Sequence, residues 1–280
     1  MDSFRQHSLA LRLQVAGEPY LVQEENGWHR LGYNLQGRCF FLQGKNLCGL
    51  HASTGWYSKP RACRQFPFFL LDTPDGVQVG LSFRCSAVQQ DQGVEWSRHE
   101  ADLTSLVESG NYPRVGFEPI AMGLGSVDWS LYKEWESEWL KQLALGRSLE
   151  WIFWRHLSEK SGLALDAQSF ADLLDRWTLS ALALLREPPP PCVAEVGSSL
   201  DSIRYWSHVL ERKSLWLGDD LLGRMLLVLV AERLLFCALA ESADWGRAFD
   251  LVEGQWLAHR DDLGPVERGL AATLLQYCLR

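Results

Sequence analysis

Four of the seven cysteines lie in the 47 residues from Cys39 to Cys85, spaced C-x8-C-x14-C-x21-C. Each has a cation close in sequence: Arg38 before Cys39, Lys45 near Cys48, Arg61 and Arg64 astride Cys63, and Arg84 before Cys85. The chemistry this suits is metal ligation. Four thiolates around one centre leave a net negative site, and neighbouring cations lower thiol pKa and offset that charge. Phe40, Phe41, Phe66, Phe68, Phe69 and Phe83 are interleaved with the thiols and are expected to wall the site from water. The competing reading is that all four are small buried hydrophobes, a common fate of free cysteine. Spacing alone does not decide, because the C-x-x-C knuckle usual in structural zinc sites is absent.

The residues around these thiols carry a family resemblance. Cys39-Phe-Phe-Leu, Leu47-Cys48-Gly-Leu-His51, Lys59-Pro60-Arg-Ala-Cys63-Arg64-Gln-Phe66-Pro67-Phe68 and then Cys85 together resemble the YkgJ-type cysteine-cluster proteins. That family is described as zinc- or iron-chelating and includes the flagellin lysine-N-methylases. The resemblance covers about 50 residues, and Lys-Pro-x-x-Cys-Arg-x-Phe-Pro is its most specific piece. It implies that Cys39, Cys48, Cys63 and Cys85 are metal ligands and that the activity is linked to protein lysine methylation. The family usually opens with an upstream C-x-x-C-x-x-C-C motif, whereas residues 1 to 38 here contain no cysteine. Widely spaced ligands in an aromatic shell favour an iron–sulfur cluster, with zinc close behind and no metal at all as the remaining case.

Other candidates read more plainly. His51 is a fifth potential ligand, although a lone histidine is more often a surface group. Cys237 and Cys278 fall in apolar helical runs, where core packing is the default. Most of the thirteen tryptophans are expected in interhelical packing. Met122-Gly-Leu-Gly-Ser126 is the one glycine loop that could cradle S-adenosylmethionine, but the full glycine fingerprint is missing and Asp128 as a helix cap explains the same residues. The bases near the cysteines are few: His51, Asp72, Asp75 and His99. Binding of S-adenosylmethionine and methyl transfer are therefore not expected, and whether the chain is an enzyme stays open.

A net charge of −8 without any Lys/Arg-rich block argues against nucleic acid or an anionic membrane and for a protein partner or substrate. The first twenty residues lack the apolar core of a signal peptide and alternate polar with apolar, which reads as a strand in a cytoplasmic protein. Seven cysteines are an odd set, favouring reduced thiols over a disulfide framework. Leu221 to Ala240 is apolar nearly all round but interrupted by Arg224, Glu232 and Arg233. It is expected to be a helix buried in a bundle rather than a membrane span.

These pieces imply an α+β chain, with a β-rich cysteine-cluster region over 1–125 and a helical region over 126–280. Leu9, Leu11, Leu13 and Val15 share one face of an expected strand, with turns at Gly17-Glu-Pro, Asn26-Gly27 and Gln36-Gly37. Phe66 to Asp72 and Val77 to Arg84 form a hairpin about Thr73-Pro-Asp-Gly76, which brings Cys63 and Cys85 toward one end of it. A capping box at Ser97-Arg-His-Glu100 opens a helix ending near Gly110, and Arg114 to Met122 is extended. Helices follow from Asp128 to Gly146, Leu149 to Gly162 and Asp166 to Leu185. The stiff Pro188 to Pro191 connector comes next, then helices over Leu200 to Arg212, Asp219 to Glu241, Trp245 to His259 and from Pro265 onward. A second function stands beside metal binding: a non-catalytic interaction module whose cysteines hold a structural metal or none.

Overall fold

The computed structural model describes residues 8–23, 29–35, 38–43, 47–110, 112–160, 165–185, 200–257 and 263–278. The turns expected at Asn26-Gly27 and Gln36-Gly37, together with Lys45, the proline run and Cys192, lie outside these residues. The fold is α+β, with small antiparallel sheets in the N-terminal half and long helices after them. Two compact units are present, Met1–Phe66 and Pro67–Arg280. The change from short strands to long helices comes later, at Asp128.

The first unit opens with a correction. Ser8–Val15 is a helix (α1), not a strand. Leucine, alanine, arginine and glutamine are good helix formers, and the buried residue is Ala10, while Leu11 and Val15 face outward. Of the alternating apolar residues, Leu13 packs on the core while Leu11 and Val15 do not. The helix stops at Gly17, whose φ of 72° lets its N–H reach Gln14 O (3.1 Å) and the Glu18 N–H reach Leu13 O (3.0 Å). Leu21–Gln23 (β1) pairs antiparallel with His29–Leu31 (β2), and Leu42–Gln43 (β3) with Leu47–Cys48 (β4). Two short helices follow, Gly49–Thr54 (α2) and Arg61–Gln65 (α3), joined through Gly55 and a 3₁₀ turn at Trp56–Ser58. Among the described residues Ala10, Tyr20, Phe41 and Leu50 make the core, with Tyr20 edge-on to Phe41 at 5.9 Å.

The second unit begins with the expected hairpin. Phe68–Thr73 (β5) and Gly76–Leu81 (β6) pair in register from Phe68↔Leu81 to Thr73↔Gly76. The Thr73 hydroxyl donates to Gly76 O at 2.7 Å across the turn. Ser86–Gln89 (α4) follows. The capping box is not formed: Ser97 lies within a 3₁₀ turn, Trp96–His99, and the helix Glu100–Glu108 (α5) starts after it. Its end near Gly110, at φ 64°, is as expected. Of the segment expected to be extended, Ile120–Met122 (β7) is a strand, paired with Gly125–Val127 (β8).

Helices then dominate: Trp129–Ala144 (α6), Leu149–Lys160 (α7), Ala167–Leu182 (α8), Leu200–Glu211 (α9), Leu221–Ser242 (α10), Trp245–Leu251 (α11) and Leu263–Cys278 (α12). Aspartates at 128, 166, 220 and 244 each accept an N–H three residues on, satisfying donors the first turn leaves unpaired. Helix α11 continues into a π-helical turn, Val252–Leu257, rather than a uniform helix to His259. Helix α10 is central, buried nearly all round and covered by α7, α8, α11 and α12. Gly223 permits the closest approach, since a Cβ there would stand 2.2 Å from Glu267 O on α12. Trp139, Trp206 and Trp256 are wholly enclosed, in line with their expected packing role. Among the described residues no helix is long and apolar enough to cross a membrane.

Candidate functional site

Three of the four candidate thiols lie in the first unit, each on a different element. Cys39 follows β2 and bridges Tyr33; Cys48 ends β4 opposite Leu42 and precedes α2; Cys63 sits on α3. Backbone bonds fix the first two, with Leu42 N donating to Cys39 O (3.0 Å) and Gly49 N to Phe41 O (2.8 Å). Cys39, Cys48 and Phe40 pack against the Tyr20–Phe41–Leu50 core. Cys39, Cys48 and Cys63 are all half-buried free thiols.

Their electrostatics differ from the expectation. Burial pushes the Cys63 thiol up to about 11, Cys39 and Cys48 add like-charge repulsion, and Lys59 opposes them. Cys39 is also raised, by burial first, with the Phe41 N–H opposing and Cys48 reinforcing the rise. The flanking cations therefore do not lower these pKa values on balance. Arg38 is exposed, and the Arg64 guanidinium lies over the Trp56 ring, 5.2 Å from its centroid. Arg64 Nε is buried without an acceptor among the described residues, one position from Cys63. Among the described residues, no three His, Cys, Asp or Glu side chains are grouped closely enough to hold a metal ion.

Cys85, the fourth candidate, belongs to the second unit. It is a half-buried thiol at the N-cap of α4, with Gln89 N donating to its carbonyl at 3.0 Å. Its neighbour Arg84 pairs with Asp250 at 2.8 Å, so that cation has a carboxylate partner of its own. The aromatic wall also divides. Phe40 and Phe41 lie by the first-unit thiols and Phe66 is half-exposed, while in the second unit Phe83 is enclosed by Tyr205 and Phe249 and Phe69 lies under Arg212. His51 is exposed on α2. Cys237 is buried in α10, and Cys278 packs half-buried at the end of α12.

The glycine loop is a hairpin turn. Gly123, at φ 60°, and Leu124 link β7 to β8, so the loop leads into a strand and not into a helix N-terminus. Asp128 caps α6 by accepting the Leu131 N–H at 2.8 Å, as the simpler reading had it.

One feature of the second unit had no signal in the sequence. A cleft of about 870 Å³ lies among the β5–β6 hairpin, α5, α6 and the end of α9. On one wall Tyr132 donates to Glu136 at 2.7 Å, and Lys213 pairs with the same carboxylate. Lys213 holds a left-handed backbone, φ 61°, where α9 ends. Residues from five segments build this cleft, and no local motif announces such a set.

No protein-family model, curated protein or solved structure matches this chain.

Proposed function

We propose that Cys39, Cys48 and Cys63 bind an iron–sulfur cluster or zinc, in a cytoplasmic cysteine-cluster protein of the YkgJ type that acts on or with a protein partner. The observation that carries this reading is that one small unit holds three free, half-buried thiols, at a β-bridge, a strand end and a helix, two of them, Cys39 and Cys48, packed on its core. Two physical arguments support it. First, thiolates that repel one another are relieved by a cation between them, and the set is all sulfur, the donor that suits zinc and iron–sulfur centres. The Arg64 N–H, buried without an acceptor, fits an anionic thiolate centre next to Cys63. Second, a unit of 66 residues, Met1–Phe66, is of the size that often relies on a disulfide or a metal, and its thiols are free. When bound, a cluster would supply a one-electron site, and zinc a cross-link between α2, α3 and the strands.

The test is metal and acid-labile sulfide content of full-length protein purified without oxygen or chelator. Wild type and Cys237→Ser are expected to carry the same load, and Cys39→Ser, Cys48→Ser and Cys63→Ser to lose it. Cys85→Ser tests whether the fourth thiol of the sequence pattern belongs to the set. Equal metal in Cys63→Ser and Cys237→Ser, or none in wild type, would contradict the reading and leave an interaction module, with a metal held elsewhere in the first case and with none in the second.

A further inference from the structure

We propose that the cleft of the second unit is a binding site for an organic cation with an apolar body, such as an alkyl- or arylalkyl-ammonium group. The cleft's volume, about 870 Å³, lies in the range of small-molecule sites. Its floor is apolar, with Phe68, Val79 and Leu81 from the hairpin facing Leu103 and Val107 of α5 and Leu140 of α6. An apolar body would be desolvated there.

The charge of the guest follows from counting partners. Two cations line the cleft, and both are engaged: Arg212 with buried Glu253 at 2.6 Å, and Lys213 with Glu136. Three carboxylates also line it, Glu100, Glu108 and Glu211, and among the described residues none of them has an ion pair. They come from opposite walls. Glu100 and Glu108 share one face of α5 with Leu103, Thr104 and Val107, at helical spacings of three and four. Glu211 ends α9 and lies near enough to Glu136 to act on its carboxyl. With the two ion pairs cancelling internally, the field in the cleft is that of the three unpaired carboxylates. A neutral guest would leave it unused, and an anionic guest would be repelled.

The inner wall is fixed before any guest arrives. Glu136 is 4% exposed and held by the Tyr132 hydroxyl and by Lys213. Lys213 adopts the left-handed backbone usually left to glycine at a helix end, and this conformation delivers its ammonium to that carboxylate.

The experiment is calorimetric titration of the full-length chain at low ionic strength with three probes of one shape: phenylbutyltrimethylammonium, phenylbutanol and phenylbutanesulfonate. The cation is expected to bind on the order of tenfold more tightly than the alcohol, and the sulfonate more weakly than either. The double variant Glu108→Gln/Glu211→Gln replaces exposed carboxylates, so folding is not at stake. It should weaken the cation roughly three- to tenfold and leave the alcohol unchanged. Thr104→Trp, filling the cleft from an exposed position on α5, should abolish binding of both. Equal affinity for cation and alcohol, preference for the sulfonate, no heat with any probe, or a cation affinity indifferent to the double variant would overturn the proposal. Metal content of the same variants should match wild type, which separates this site from the thiols.

Discussion

The first unit, 66 residues long, has four buried core side chains among its described residues, while the second buries a 22-residue helix and still accommodates paired charges within its interior. The difference shows how each interior is held. In the second unit, apolar burial supplies the stabilisation, and buried ions set which helix faces which. Arg212 bridges the Leu81 carbonyl, the Ser214 hydroxyl and Glu253, and Arg224 bridges the Ser214 carbonyl and Glu267. The first unit is 66 residues against 214 in the second, a size at which a cross-link between elements counts for more.

The largest expected break falls on the second unit alone. Glu253→Ala would strand the Arg212 guanidinium in a buried site and also remove the acceptor of the Ser82 hydroxyl, 2.7 Å away. The expected loss is about 3–5 kcal/mol in denaturant unfolding of that unit, with metal content unchanged. A loss under about 1 kcal/mol would show that Arg212 finds other partners or water, as an exposed pair would.

A smaller effect is set by pH. Burial raises the Glu232 carboxyl to about 8, with Glu150 adding to the rise against the N–H groups of Leu149 and Glu150 and against Arg233. The folded chain thus keeps a proton that the unfolded chain releases near the ordinary carboxylate value, so this contribution is full at low pH and is lost as pH rises through about 8. Burial acts oppositely on His156, lowering it to about 4, so stability from that group is lost as pH falls from its ordinary value through about 4. The two oppose each other below pH ~6.5, and above it Glu232 acts without His156. Stability of the second unit should fall by roughly 2 kcal/mol from pH ~6.5 to ~8, and Glu232→Gln should flatten that slope. An identical slope in the variant would place the titration elsewhere.

Legibility in the sequence followed the same division. The helices of the second unit were readable because in most of them apolar residues recur at three and four and aspartates stand at the starts, as at Asp128 and Asp166. The hairpin was readable from Pro74-Asp75-Gly76. Helix α1 was misread because leucines at every second position imitate a strand face, whereas Ala10 was the residue that became buried. Cys39, Cys48 and Cys63 were singled out as a ligand set by the resemblance that the Lys59-Pro60 segment carries, and not by their spacing. The raised pKa values of Cys39 and Cys63 were not legible, because neighbouring cations in sequence do not report where a guanidinium points; Arg64 turns to Trp56. The cleft was invisible because Glu136 and Lys213 are 77 positions apart and meet only through tertiary packing.

Hydrogen exchange by mass spectrometry, on anaerobically purified protein before and after chelation, tests most directly whether a thiol-bound metal holds the first unit. Amides of residues 38–43 and 47–66 should exchange faster once metal is removed, while those of α10 keep their protection. Unchanged exchange in the first unit after chelation, or an equal change in both units, would contradict the account.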